Sequence, residues 1–268
     1  MTSISPAAVR VMNATFAREF LSYRINRFLH LHVGLMLAIG VLALLAPPDA
    51  AAPGAAWWVL NGVIYVASLS ALLLGLSSAQ AEAEEFGMLF TQPIRIGVWV
   101  AGKCAGLACV VIPAALLLVL PTVVVAGGSL LLLGAAVAAA GVSVLLSWIG
   151  LALGLWIQDP VRGLISALAV WCMLLFGIDL ALILVGGSEW VQANSGWWVA
   201  VLMLSPLDAY RVTLLFVVEN AAFSASEMSS LTQWWLRHPV LWLAVCLGGW
   251  SGMAALLAAA GAAHRRTQ

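Results

Sequence analysis

Residues 130–157 read LLLLGAAVAAAGVSVLLSWIGLALGLWI without one charged side chain. The hydrocarbon core of a bilayer is about 30 Å thick and takes about 20 apolar residues of helix to cross, so this stretch reads as a span. Runs of the same kind, with few charges, lie on either side of it. They predict six spans in all, at 28–46, 57–79, 103–126, 130–157, 161–186 and 240–262. Composition agrees: 64% of the residues are hydrophobic and 8% charged, and mean hydropathy is +1.08. An ordinary soluble domain carries about a quarter charged residues. Inside a bilayer only helices and closed barrels satisfy every backbone group, and the alternation of barrel strands is absent. The predicted fold is therefore an all-α integral membrane protein, one domain over residues 1–268.

Charge placement orients it. Nine of the eleven Lys and Arg residues fall on one side of the frame: Arg10, Arg18, Arg24, Arg27, Arg95, Lys103, Arg162, Arg265 and Arg266. Loops rich in these residues stay in the cytoplasm, which predicts cytoplasmic termini. Arg211 and Arg237 lie opposite, in the segment 187–239. Trp57, Trp58, Trp190, Trp197, Trp198, Trp234, Trp235 and Trp242 fall near the same outer boundary, where an aromatic belt is expected. Net charge is zero and no basic cluster exists to neutralise phosphates, so nucleic acid is not an expected partner. No secretory signal peptide is predicted, because charge flanks Phe16 and no small-residue cleavage site follows a short apolar core.

Residues 8–27 differ from the spans. Val9, Met12, Phe16, Phe20 and Tyr23 recur at helical spacing while Arg10 and Arg18 point elsewhere, predicting an amphipathic interfacial helix. It serves either as a surface anchor or as a dock for a cytoplasmic partner. Gly102-x-x-x-Gly106, Gly150-x-x-x-Gly154 and Gly248-x-x-x-Gly252 have the spacing that lets helix backbones approach, and read as packing.

Catalytic signals are lacking. Gly97-Val-Trp-Val-Ala-Gly102-Lys103-Cys104 is one residue from a phosphate-binding loop. Its last position needs a hydroxyl for Mg²⁺ and its loop residues are bulky and apolar, so it is rejected as a nucleotide site. Cys104, Cys109, Cys172 and Cys246 lie singly in apolar runs and read as small hydrophobes. No cofactor or metal is expected on the chain, and it is not expected to be an enzyme.

Three segments carry more information. In 80–95, acidic residues at Glu82, Glu84 and Glu85 precede Phe86-Gly-Met88-Leu-Phe90, and Pro93 ends the helix before Arg95. The segment is either a solvated turn or, since the apolar run is too short to span, a surface that a partner covers. Asp179 stands inside the fifth span, where an ionisable group costs several kcal/mol unless paired or wet. It is a candidate for function or for an interhelical hydrogen bond. In the outer segment, Ser205-Pro206-Leu207-Asp208 supplies an N-cap, a proline at the first helical position and an acidic capping-box residue. A helix is predicted from Pro206, carrying Tyr210 and Arg211 as a surface or re-entrant element.

These features together resemble the membrane subunits of ABC-2 type ABC transporters, and within that family the permeases of nitrous oxide reductase maturation transporters. Thr91-Gln-Pro93 with Gly102-Lys103 beyond it, Phe176-Gly-Ile-Asp179-Leu-Ala-Leu and Leu204-Ser-Pro-Leu-Asp208-Ala-Tyr210-Arg211 carry the likeness. Glu84-Glu85 stand where the family often has Gly-Thr, and Ser205 where it has Asn. The resemblance implies a homodimer in the bacterial inner membrane, bound to a separate cytoplasmic ATPase that holds ATP and Mg. Glu82, Glu84, Glu85, Phe86, Met88, Pro93 and Arg95, with the N-terminal helix, would dock that ATPase. Asp179 would serve translocation. Ser205, Pro206, Asp208, Tyr210 and Arg211 would dock a periplasmic copper-handling protein. Two alternatives stay open: an exporter of lipid, drug or polysaccharide in the same family, and a channel or assembly scaffold needing no ATPase.

Overall fold

The computed structural model describes residues 6–22, 26–45, 53–82, 95–125, 130–189, 195–219 and 230–266, and no strand occurs among them. Eleven α-helices are labelled in chain order. They are α1 (Pro6–Ser22), α2 (Arg27–Leu44), α3 (Pro53–Asn61), α4 (Ser68–Ala81), α5 (Ile96–Val125), α6 (Leu130–Trp156), α7 (Pro160–Val185), α8 (Ser195–Leu204), α9 (Pro206–Glu219), α10 (Ser230–Arg237) and α11 (Pro239–Arg266). A π-helical turn, Gly62–Ala67, joins α3 to α4.

Five stretches are long and apolar enough to cross a membrane: Trp57–Ala81, Ile96–Pro121, Leu133–Trp156, Pro160–Val185 and Pro239–Arg266. The predicted first span corresponds to α2. It meets the criterion only jointly with α1, from which it is bent by 72°. Among the described residues the chain thus has the make-up of a multi-pass helical membrane protein, with five helices able to cross, or six when the bent pair counts as one. The bend starts where Asn26 caps α2, its side chain accepting the Phe28 N–H at 2.9 Å.

α6 is the central helix, packed on α4, α5 and α11. Its contact with α4 depends on absent side chains. A Cβ on Gly75 would strike the Ser147 carbonyl, and one on Gly150 the Leu72 carbonyl, so the two backbones touch from both sides. Gly102 and Gly106 do the same for α1, lying against Thr15 and Glu19. The third glycine pair departs from expectation: nothing lies within 4 Å of where a Cβ on Gly248 or Gly252 would sit.

α7 is peripheral, with only 6% of its most apolar window buried. Polar ties attach it to the bundle. Trp171 donates its indole N–H to Ser68 Oγ at 2.9 Å, and Ser68 in turn donates to the Ile64 carbonyl inside the π-turn. Two residues on, Ser70 Oγ donates to the Val66 carbonyl at 2.6 Å and lies 2.7 Å from His32 Nδ1 of α2. That hydroxyl proton is committed, so the imidazole is the donor and its proton sits on Nδ1. Ser68 and Ser70, in the first turn of α4, thus bond back to the π-turn and hold α7 and α2 from there.

Gly150→Leu, which must displace the α4 backbone, is expected to lower the detergent-solubilised thermal midpoint by the equivalent of about 3 kcal/mol. Gly252→Leu, which meets open space, leaves it within about 0.5 kcal/mol.

Candidate functional site

Two polar sites lie at opposite ends of the bundle. The first is at the end that carries α1. Because α5 begins at Ile96, Lys103 sits in its second turn instead of at a span boundary, and its side chain is fully buried. Its Nζ is 2.8 Å from Glu19 Oε2 of α1 and 3.0 Å from Glu82 Oε2 at the end of α4. It also donates to the Ser78 carbonyl at 3.4 Å and lies 5.5 Å from the Trp99 ring centroid. Ser78 Oγ donates to the other Glu19 oxygen. Arg18, at the surface, approaches Glu82 to 3.9 Å. Two cations therefore meet two carboxylates in a neutral cluster that joins three helices. A buried charge is tolerable only with such pairing and hydrogen bonding.

The α1 surface that makes this contact is not the apolar stripe. Val9, Met12 and Phe20 remain exposed, while Thr15 and Glu19 face α5. The helix thus has a polar seat on the bundle and a separate apolar face. Beside the joint, a cavity of about 500 Å³ is lined by Arg18, Asn26, Phe28, Gln80, Ala81 and Glu82, among others. Of the predicted docking residues, Glu82 is in the joint and Arg95 is exposed at the start of α5. Glu84, Glu85, Phe86, Met88 and Pro93 lie outside the described residues.

The second site is at the far end. α8 and α9 meet at Ser205, which packs against α11 well inside its length. Trp242 donates to the Met203 carbonyl at 3.0 Å and Trp250 to the Leu204 carbonyl at 2.8 Å. The Cys246 thiol also lies against Leu204, at 3.8 Å. Cys246 and Trp250 are roughly 10 and 16 Å along α11 from Pro239 at 1.5 Å per residue. The α8–α9 junction therefore sits beside the body of α11 and not at its tip. The last carbonyls of a helix lack partners of their own, and here three residues spaced four apart on α11 supply them. Trp242, expected in an interfacial belt, is committed to this backbone contact.

α9 begins at Pro206 as predicted. The capping box is half formed: the Asp208 N–H donates to Ser205 Oγ at 3.4 Å, but the Ser205 N–H bonds back to Val201. The Asp208 carboxylate accepts from the Ser205 hydroxyl and lies 4.0 Å from Arg211, and Arg211 donates to Asp179 of α7 at 3.1 Å. This ion pair is the second tie holding α7, about 9 Å from its C-terminal end at the same rise. Ser205, Asp208 and Tyr210 are buried, while Arg211 is partly exposed. The sequence motif therefore builds an internal junction and leaves Arg211 as its accessible charge.

The sequence reading missed Glu19 and the role of Lys103. Their only local signal is a Thr15-x-x-x-Glu19 stripe on a helix read for its apolar face. At the ends of α6 and α11, Arg265 donates to the Leu155 and Gly154 carbonyls, both at 2.6 Å, a cationic cap also missed. No group of three His, Cys, Asp or Glu residues that could hold a metal ion occurs among the described residues. The chain matches no protein-family model and no curated protein.

Trp250→Phe keeps an aromatic side chain, smaller than the indole, and removes the donor to Leu204. It is expected to cost about 1 kcal/mol in thermal unfolding, and Trp242→Phe a similar amount.

Proposed function

We propose that the chain is the membrane subunit of an ABC transporter, working as a homodimer with a separate cytoplasmic ATPase. The observation that carries this reading is the Lys103 joint. It ties an interfacial helix (Glu19), the end of one span (Glu82) and the start of the next (Lys103) into one body. Such a body suits the transmission of force. A partner bound to α1 and to residues 83–95 would push on α4 and α5 together, because neither can shift without separating buried charges.

In this mechanism ATP and Mg bind only the partner, and closure of the ATPase pair changes the contacts each state makes. Displacement at the joint reaches the far end through α5 and α6. There α7 is free to move, since it is held mainly by Trp171 and by the Asp179–Arg211 pair. Asp179 thus acts as a releasable latch between α7 and the α8–α9 pair. With cytoplasmic termini, the α8–α9 end faces the periplasm of a bacterial inner membrane, and the exposed part of Arg211 is where a periplasmic partner would bind. The family resemblance assigns that partner to copper-centre assembly of nitrous oxide reductase.

Affinity purification from native membranes in mild detergent, with mass spectrometry, tests the reading. Wild-type chain is expected to bring an ABC ATPase and a periplasmic copper-handling protein. Glu84→Lys with Glu85→Lys should lose the ATPase several-fold at equal membrane level. An ATPase without the copper partner would move the assignment to a general exporter of the same family. Intact chain with no ATPase would favour a channel or scaffold and overturn the proposal.

A further inference from the structure

Between α6, α9 and α11, in the half of the bundle that contains the α8–α9 pair, lies a cavity of about 650 Å³. Its walls are almost wholly apolar, with Gly134, Ala138, Gly141 and Ala244 making room between Leu133, Val137 and Val240. Val137 is 72% and Val240 67% exposed, so the mouth opens sideways, toward the acyl chains of a surrounding bilayer. The inner wall carries Tyr210 and Thr213, 1% and 4% exposed, whose hydroxyl oxygens are buried behind that wall and have no hydrogen-bond partner among the described residues. Buried hydroxyls are ordinarily paired, and leaving them unpaired costs free energy. Apolar walls with a few convergent polar groups are the usual make-up of a small-molecule site of this size.

We propose that this cavity is a binding site for a membrane lipid, with one acyl chain lying along α6 and α11 and the ester carbonyl accepting from Tyr210 or Thr213 once that side chain turns its hydroxyl into the cavity. A second copy of the chain fits less well. A helix about 10 Å across, laid along the roughly 12 Å from Leu133 to Gly141, fills about 900 Å³. An acyl chain is far thinner and can enter through the lateral mouth. The hydroxyls ask for an acceptor at one end of an otherwise apolar ligand, which an ester-linked lipid provides. The site is remote from the Lys103 joint and does not depend on an ATPase partner.

The test uses full-length chain from native membranes in nanodiscs containing phosphatidylethanolamine with a diazirine on one acyl chain. After irradiation, adducts are mapped by mass spectrometry. Adducts on 133–141 and 240–247 are expected to exceed those on the exposed α7 residues Met173, Ile183 and Leu184. Gly134→Trp with Ala244→Trp should reduce the cavity adducts several-fold and leave those on α7 unchanged. On the wild-type chain, an ester-linked competitor should displace the probe at several-fold lower concentration than its ether-linked analogue, which lacks the carbonyl. Equal labelling of both faces, or equal competition by ester and ether lipids, would overturn the proposal. So would adducts undiminished by the tryptophans, or crosslinking of position 137 to a second copy in place of lipid.

Discussion

Lys103 has no exposed side-chain surface and two carboxylates within 3.0 Å, and the arrangement of this end of the bundle follows from that fact. A lone ammonium buried there would be far too costly. Glu19 and Glu82 must therefore come to it, bringing α1 and the end of α4. Gly102 and Gly106 make the approach possible by leaving α1 no side chain to clear. The glycines set how near α1 comes, and the ion pair sets its register and the face it presents.

The same constraint recurs wherever a helix ends inside the protein. Where no water is at hand, a free carbonyl costs several kcal/mol, so helix ends need donors from elsewhere in the chain. α11 supplies them twice, through Arg265 to the end of α6 and through Trp242 and Trp250 to the end of α8. One helix thereby positions both the α8–α9 pair and the C-terminus of the central helix. α7 stands outside this scheme. Its exposed apolar faces leave it the least buried of the helices long enough to span.

Much of this was legible in the sequence, for physical reasons that differ by element. Long apolar runs announce spans because each satisfies its own backbone, and Ser205-Pro206 announces a helix start because proline cannot continue the preceding one. Asp179 stood out as a charge in an apolar run, and its pairing with Arg211 accounts for it. The Lys103 joint was not legible, since its partners lie 84 and 21 positions away and nothing local fixes their pairing. Lys103 itself was set at a boundary because hydropathy rises there, although the helix begins at Ile96. The three glycine pairs looked alike in sequence, yet only two meet another helix, because spacing records which face is smooth and not what lies against it.

The most direct measurement is a double-mutant cycle on Glu19 and Lys103, using Glu19→Gln, Lys103→Met and the pair together, read by unfolding in detergent. If the buried joint organises this end of the bundle, Lys103→Met alone costs about 3–5 kcal/mol by stranding carboxylates. The double variant then costs less than the sum, with a coupling of about 1 kcal/mol or more. Additive losses within about 0.5 kcal/mol would contradict the account, because they would mean that the two side chains do not meet in the folded protein.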